Sequence, residues 1–203
     1  MNYKIHSQER VTRGFGLFEI FLAKQRARLA NSKIPNILRS GRVLDVGCGY
    51  FPYFLSSTKF SEKYGIDSSI NEKLFKNSLI KINKSNLEKE KLPYGDDFFD
   101  TVTMLAVFEH IEPGNLKFVL KEIRRVLKKS GVFIITTPAP WSDGALHLLA
   151  RVGLVSKVEI DDHKHALTSA AIKNILIDAG FEKKKICHGF FEAFFNMWFV
   201  ASK

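Results

Sequence analysis

The apolar runs of this sequence are all short. Val132-Phe133-Ile134-Ile135 is representative, and nothing approaches the roughly 20 residues that a membrane span needs. Cysteine is scarce: Cys48 and Cys187 are the only two. That is too few for a disulfide framework, and the expected setting is a reducing cytoplasm. Met1-Asn2-Tyr3-Lys4-Ile5-His6 carries no apolar core of a secretion signal. No internal repeat, low-complexity tract or interdomain linker is visible. Acidic residues are outnumbered, 21 Asp and Glu against 31 Lys and Arg, which leaves a net charge of +10. At 203 residues, 45% hydrophobic and 26% charged, length and composition fit one globular domain with a full core.

What is present is concentrated in Val43-Leu44-Asp45-Val46-Gly47-Cys48-Gly49-Tyr50. A short apolar run breaks into a turn with two glycines one residue apart. The next apolar run, Tyr64-Gly65-Ile66, ends in Asp67. A strand, a glycine turn, a helix and a second strand closed by a carboxylate make a nucleotide-binding half-site. The glycines let backbone pass close to a ligand, and the carboxylate can accept hydrogen bonds from ribose hydroxyls. A dinucleotide fold wants a third glycine under the pyrophosphate, but Pro52 stands there. A phosphate loop needs Gly-Lys-Ser/Thr, and none follows. A nucleoside without a pyrophosphate fits better, and S-adenosylmethionine is the common one.

Along the chain, residues 13–31 read as a helix whose apolar face is Phe18, Phe21, Leu22 and Leu29. Strands are expected at 42–46, 63–66, 79–82, 99–105 and 132–137. Two more follow at 183–188 and 195–201. Helices are expected at 53–59, near Leu146–Val152, and from Leu116 to a stop at Lys128-Lys129-Ser130-Gly131. Ser169–Ala179 is a further helix, with a Thr168 or Ser169 cap and Gly180 as its end. Strands alternating with helices give an α/β class with a mostly parallel, doubly wound sheet. The last two strands suggest an antiparallel hairpin at one edge. Residues 1–41 read as an N-terminal helical extension or lid, and residues 42–203 as the nucleoside-binding domain.

The motifs resemble, in order, those of the class I S-adenosylmethionine-dependent methyltransferases, over about residues 42–182. They are Val43–Gly49, Gly65-Ile66-Asp67, Leu92-Pro93-Tyr94, Phe99-Asp100 and Phe108-Glu109-His110-Ile111, then Glu122–Gly131 and Asp178-Ala179-Gly180-Phe181. The chain looks like the small stand-alone type related to the ubiquinone-biosynthesis methyltransferases. The resemblance implies a Rossmann-like sheet of seven strands in the order 3-2-1-4-5-7-6. It implies that Asp45, Gly47, Cys48 and Gly49 form the turn around the methionine half of the cofactor. Asp67 then takes the ribose and Ser68 flanks the adenine. Asn86 and Leu87 occupy the adenine-reading place, with Asn86 a departure from the usual Asp. Leu105 and Ala106 contact the methionine amine. No metal is required, because methyl transfer from a sulfonium needs alignment more than acid catalysis.

A hydroxyl acceptor is helped by a nearby base. The candidates are His110, after the fourth strand, and His163 and His165, in Asp161-Asp162-His163-Lys164-His165. His110 is either a base or substrate contact or a hydrogen-bonded cap. The other two line the substrate pocket, act as a base, or lie in a solvated loop. With Asp161 and Asp162 they also suggest a metal site, against which stand their poor helical spacing and the lack of a nearby cysteine. The aromatic run 189–199 is either a core strand or an apolar wall for a greasy or planar substrate.

Residues 1–42 hold nine Lys/Arg against Glu9 and Glu19, +7 of the total charge. Such a segment is either a solvated face or a contact for an anionic partner. The expected acceptor is therefore a small molecule or a lipid- or glycan-linked molecule, with an anionic membrane surface as a further contact. A nucleic-acid methyltransferase is the alternative. Against it, Leu105-Ala106-Val107-Phe108 stands where amino-directed DNA enzymes need a Pro-Pro tetrad. A non-catalytic binding protein of the same fold is a third reading, and the intact glycine turn and Asp67 argue against it.

Overall fold

The structure, a computed structural model, describes residues 19–76, 78–142 and 161–203, with residues 144, 147 and 151 between the last two stretches. Seven strands form one sheet: β1 (Arg42–Val46), β2 (Glu62–Asp67), β3 (Ile80–Lys84), β4 (Phe99–Leu105), β5 (Leu127–Pro138), β6 (Ile186–Phe191) and β7 (Asn196–Ser202). Their order is β3-β2-β1-β4-β5-β7-β6. All pairings are parallel except those of β7, which runs antiparallel to β5 and to β6. The described helices are α1 (Glu19–Lys33), α2 (Tyr53–Ser57), α3 (Leu116–Val126) and α4 (Ser169–Asp178). This is the doubly wound α/β sheet expected from the alternation of strands and helices.

Helices cover both faces of the sheet, so the central strands are apolar on both sides. Alternate residues of a strand point to opposite faces. Leu44 and Val46 of β1 join Val102, Met104, Phe133 and Ile135 under α3 and α4. Val43 joins Ile134 and Val132 under α1 and α2.

The buried face of α1 differs from the expected one. Phe21 is 52% exposed, whereas Ala27, Ala30 and Ile34 enter the core. Two alanines let the helix approach the sheet closely, and the aromatic residue is left outside. The expected helical residues 13–18 lie outside the described residues, Phe18 among them.

The third helix also ends sooner than its cations suggested. α3 stops at Val126, and the stretch Leu127–Gly131 opens β5 instead of finishing the helix. Leu127 pairs with Phe99, with an irregularity in register before Thr101. The Asp100 carboxylate anchors this corner. It takes the Lys128 amine on both oxygens at 2.8 Å and the Arg42 backbone N–H at 2.8 Å. A Cβ at Gly41 would lie 2.0 Å from Asp100 Oδ2, so the residue before β1 has no room for a side chain.

Other boundaries shift by a few residues. Leu79 stands outside β3 and is 92% exposed. Lys183–Lys185 form a single 3-10 turn, and β6 starts after them. Thr168 caps α4 by accepting the Ala171 N–H, and Gly180 closes it at φ +101°. The helix expected near Leu146–Val152 falls largely outside the described residues.

Candidate functional site

Parallel strands put the C-terminal ends of β1, β2 and β4 at one edge, where open α/β sheets hold ligands. Two cavities, of about 580 and 240 Å³, open there. They share Gly47, Asp67, Val107, His110 and Asp162 as walls, so they form one continuous cleft of two lobes. Their volumes suit a nucleoside-sized ligand with a second small group beside it.

The turn after β1 is a backbone cradle. Gly47 and Gly49 have φ of +72° and +70°, which side chains rarely adopt. The N–H groups of Gly47 and Cys48 both donate to the Ile66 carbonyl, at 2.8 and 3.2 Å. A Cβ on Gly47 would sit 2.3 Å from Val107, so any larger residue fills the junction of the lobes. Cys48 contributes backbone here. Its Sγ lies under Gly65, and burial pushes the thiol pKa far up.

Asp67 ends β2 with its carboxylate already held. Oδ2 accepts the Gly49 N–H at 3.1 Å and Oδ1 accepts the Ser69 N–H at 2.7 Å. Each oxygen keeps lone-pair capacity for a ligand hydroxyl. Asp45 sits one layer deeper, 5% exposed, with Oδ1 accepting the Thr103 hydroxyl at 2.6 Å. Burial is the main cause that raises its pKa to about 7, opposed by the Thr103 hydrogen bond and assisted by Asp67. A cationic ligand group beside it would reverse that shift.

Ser68, Asn86 and Leu87 line the smaller lobe with Asp67. Asn86 Oδ1 accepts the Glu88 N–H at 3.0 Å. One of its two lone pairs is thus committed, and the NH₂ group and the other lone pair stay available. Leu105 and Ala106 line the larger lobe. Ala106 has φ +55°, held by its N–H donating to the Thr136 carbonyl at 2.9 Å.

The three candidate histidines separate. His110, in the 3-10 turn Phe108–His110, lines both lobes. Its Nδ1 lies 3.3 Å from the Asp162 carbonyl oxygen and 3.4 Å from Asp162 Oδ2. His163 and His165 are absent from both linings. The His163 ring packs against His110 at 5.1 Å. His165 stands edge-on to Phe108 and hydrogen-bonds the backbone of Ile111 and Phe108, with burial lowering its pKa.

Three charged residues not singled out in the sequence lie at this edge. Arg26 of α1 lines the larger lobe. Glu109 is 3% exposed, and burial raises its pKa against the opposing pull of His110 and Arg26. Its Oε2 has no hydrogen-bond partner among the described residues. Glu192 is likewise raised by burial, and its Oε1 is buried without a partner among the described residues. It begins the β6–β7 turn, where Glu192, Ala193 and Phe194 all have positive φ. That turn stands beyond Pro138 at the end of β5, since Pro138 pairs with Asn196. Trp141 Nε1 donates to the Phe194 carbonyl at 3.1 Å, and both aromatic side chains are more than half exposed. The available signal for Glu109 was its place in the Phe108-Glu109-His110-Ile111 motif. No local pattern marks Arg26.

A family model described as a methyltransferase domain matches residues 19–186. An uncharacterized protein, MJ0638, from Methanocaldococcus jannaschii is 37% identical over 93 residues. That match covers 46% of this chain and 39% of the relative, so the chain spans about two-fifths of the curated relative's length. A Haloferax volcanii putative methyltransferase, solved in complex with the Trm112 methyltransferase activator, shares the fold with a TM-score of 0.66. It is 16% identical, with 91% of this chain and 96% of that one covered. A SAM-dependent methyltransferase from Archaeoglobus fulgidus aligns with a TM-score of 0.65 at 19% identity, covering 91% and 94%. The family match takes in most of the sheet and the whole glycine turn, and the chain belongs to the methyltransferase-domain family, the class I S-adenosylmethionine-dependent methyltransferases.

Proposed function

We propose that the chain methylates a small-molecule or lipid- or glycan-linked acceptor held over the ends of β4, β5 and the β6–β7 turn. The observation that carries this is the junction of the two lobes. Gly47 backbone, Asp67 and His110 all wall it. The residues present fit S-adenosylmethionine. The Gly47 cradle has no room for a Cβ, and Asp67 is pre-aimed by two backbone N–H groups.

Asp67 holds the ribose hydroxyls, and Ser68, Asn86 and Leu87 surround the adenine. Asp45, Gly47, Cys48 and Gly49 hold the methionine half, with the Leu105 and Ala106 backbone on its amine. When bound, the cofactor supplies a sulfonium methyl open to in-line displacement. The chain contributes position. Fixed hydrogen-bonding groups need no rearrangement when charge moves. His110, oriented by Asp162, is the side chain placed to take a proton from an acceptor hydroxyl. His163 backs His110, and His165 holds the 108–111 backbone in place.

Exposed Trp141 and Phe194 at the same edge favour an acceptor with an apolar part. Residues 1–41, whose helix α1 puts Arg26 over the larger lobe, act as a lid. Their cations draw the protein to an anionic membrane surface from the cytoplasmic side. No described helix is long and apolar enough to cross a membrane. The test is methyl-labelled S-adenosylmethionine incubated with separated lipid, small-molecule and nucleic-acid fractions. Label in the lipid or small-molecule fraction is expected. Label confined to nucleic acid would replace this acceptor class with the alternative.

A further inference from the structure

The segment Asp161–His165 borders both lobes of the cleft. Asp161 and Asp162 wall the larger lobe, and Asp162 and Lys164 wall the smaller one. None of residues 161–166 is buried, so the segment has no anchor in the core. Its two ends are held differently. At the C-terminal end the Lys164 N–H donates to the Glu109 carbonyl at 2.9 Å, and the His165 ring stands edge-on to Phe108. Toward the N-terminal end the contacts lengthen. Asp162 meets His110 Nδ1 at 3.3 Å through its carbonyl and at 3.4 Å through Oδ2, and Asp161 Oδ1 stands 3.9 Å from His147 Nδ1. A chain of polar contacts also runs around the smaller lobe. Asn86 Oδ1 accepts the Glu88 N–H at 3.0 Å, and Glu88 Oε2 accepts the Glu112 N–H at 3.0 Å. The chain reaches Lys164 through the Glu112 carboxylate, 3.6 Å from Nζ, and Asp162 Oδ1 lies 3.7 Å from the same Nζ. Both separations exceed hydrogen-bond length. All three side chains are at least 40% exposed, so water competes for this link. The ring around the lobe closes at its weakest contact.

We propose that Asp161–His165 is a strap that closes on the bound nucleoside, with the Lys164–Glu112 pair as its catch, and lifts about Lys164 and His165 to let the spent cofactor leave. This rests on the methyl-transfer reading given above and adds a gate to it. Asp162 walls both lobes, so a ligand that fills both meets the strap. Asp162 is also the residue that orients His110. An open strap takes Asp162 away from His110. Closure on the ligand and alignment of the imidazole are therefore one movement, and the base is set only when water is shut out. Segments that open readily are those with few buried contacts and exposed polar links, and the strap has both features. The weakness of the catch has a use. A product held too firmly leaves slowly, and release of product sets the turnover of many enzymes.

The test is release of labelled S-adenosylhomocysteine from the full chain, chased with excess unlabelled ligand and read by rapid filtration. Glu112 is not among the walls of either lobe. Glu112→Gln therefore weakens the catch without touching the ligand, and its backbone N–H still serves Glu88. Glu112→Gln and Lys164→Ala should each speed release about two- to fivefold, the worth of an exposed ion pair. The double variant should be no faster than Lys164→Ala alone, because both substitutions break the same contact. For the wild type, about 1 M salt should speed release to a similar degree, since charges are then screened beyond about 3 Å. Hydrogen exchange at the Lys164 amide should slow when S-adenosylhomocysteine is bound. A wild-type release rate in Glu112→Gln, or two effects that simply add, overturns the strap and leaves the cofactor site standing. Exchange at Lys164 that ignores the ligand overturns it as well. A wild type that binds no S-adenosylhomocysteine overturns the cofactor assignment, and the strap with it.

Discussion

The two halves of the cleft are built differently. On the β1–β2 side, the polar groups discussed above are tied down. Asp67 accepts two backbone N–H groups, Asp45 accepts Thr103, and Gly47 and Cys48 share the Ile66 carbonyl. On the β4–β5–hairpin side, Glu109, Glu192 and His165 keep buried atoms without partners among the described residues, and three consecutive residues of the β6–β7 turn have positive φ. The first half is complete before any ligand arrives, as suits a cofactor that every member of a family shares. The second half stores unmet bonding capacity, as suits the part that must recognise one acceptor. Substitutions in the first half should therefore act on cofactor affinity and stability, and those in the second on the acceptor.

The largest effect should come from breaking the complete half at its tightest point. Gly47→Val places a branched side chain at φ +72°, against a neighbour 2.3 Å from its Cβ. Left-handed strain of about 1–2 kcal/mol and overpacking of about 1–3 kcal/mol predict a loss of about 2–5 kcal/mol in stability. Calorimetry should find no S-adenosylhomocysteine binding. Wild-type affinity in this variant would mean that the ligand does not pass over the turn.

Next in size is the buried carboxylate. The folded-state pKa of Asp45, about 7, lies above its ordinary value of 3.8. The folded protein therefore holds the proton more tightly than the unfolded chain between about pH 4 and 7. Stability from this group is full below pH 4, falls as pH rises, and is gone above pH 7. At 1.36 kcal/mol per pKa unit the cost at pH 8 is at most about 4 kcal/mol. Asp45→Asn should thus raise the denaturation midpoint at pH 8 and have little effect at pH 4. If Asp45 faces the cofactor's ammonium, wild-type affinity should climb from pH 5 to 7 and then level. A flat affinity profile would detach Asp45 from the cofactor while leaving the stability effect intact.

Asp67→Ala should cost about 2–4 kcal/mol of cofactor affinity, through loss of two charge-assisted hydrogen bonds. It also strips Gly49 and Ser69 of their acceptor, so Asp67→Asn is the sharper probe. The amide oxygen can keep one backbone bond while the charge goes. Unchanged calorimetric affinity in folded Asp67→Asn would place the ribose elsewhere.

The same contrast governs what the sequence made legible. The complete half is local. Its strand, glycine turn and closing carboxylate follow one another within 25 residues from Val43 to Asp67, so they can be read directly. Thr168 and Gly180, at the two ends of α4, were legible for the same reason. The acceptor half is assembled from distant segments. Arg26, Glu109, Trp141 and Glu192 are brought together by β-strand crossovers and a hairpin that no local pattern encodes. The α1 face was misjudged because hydrophobic size suggested Phe21, whereas close helix–sheet approach selects Ala27 and Ala30. The early start of β5 was hidden because Lys128 resembles a helix-end cation, yet its amine serves Asp100 on the neighbouring strand.

The smallest effect belongs to the seam between the halves. Ala106 ends β4 at φ +55°, an orientation that costs an L-residue about 1–2 kcal/mol. Its N–H donates to both the carbonyl and Oγ1 of Thr136, at 2.9 and 3.2 Å, and these two bonds hold the strained geometry. Ala106→Gly removes the strain but gives the unfolded chain more freedom, about 0.5–1 kcal/mol. The two terms nearly offset, so stability should change by no more than about 1 kcal/mol, with gain favoured. Cofactor affinity should stay within about threefold, because Ala106 contributes backbone alone. A destabilisation well above 1 kcal/mol, measured by urea denaturation, would mean that the methyl group packs into the wall of the cleft. The seam would then belong to the complete half, and the boundary between the halves would lie beyond Ala106, at Val107 and the Phe108–His110 turn.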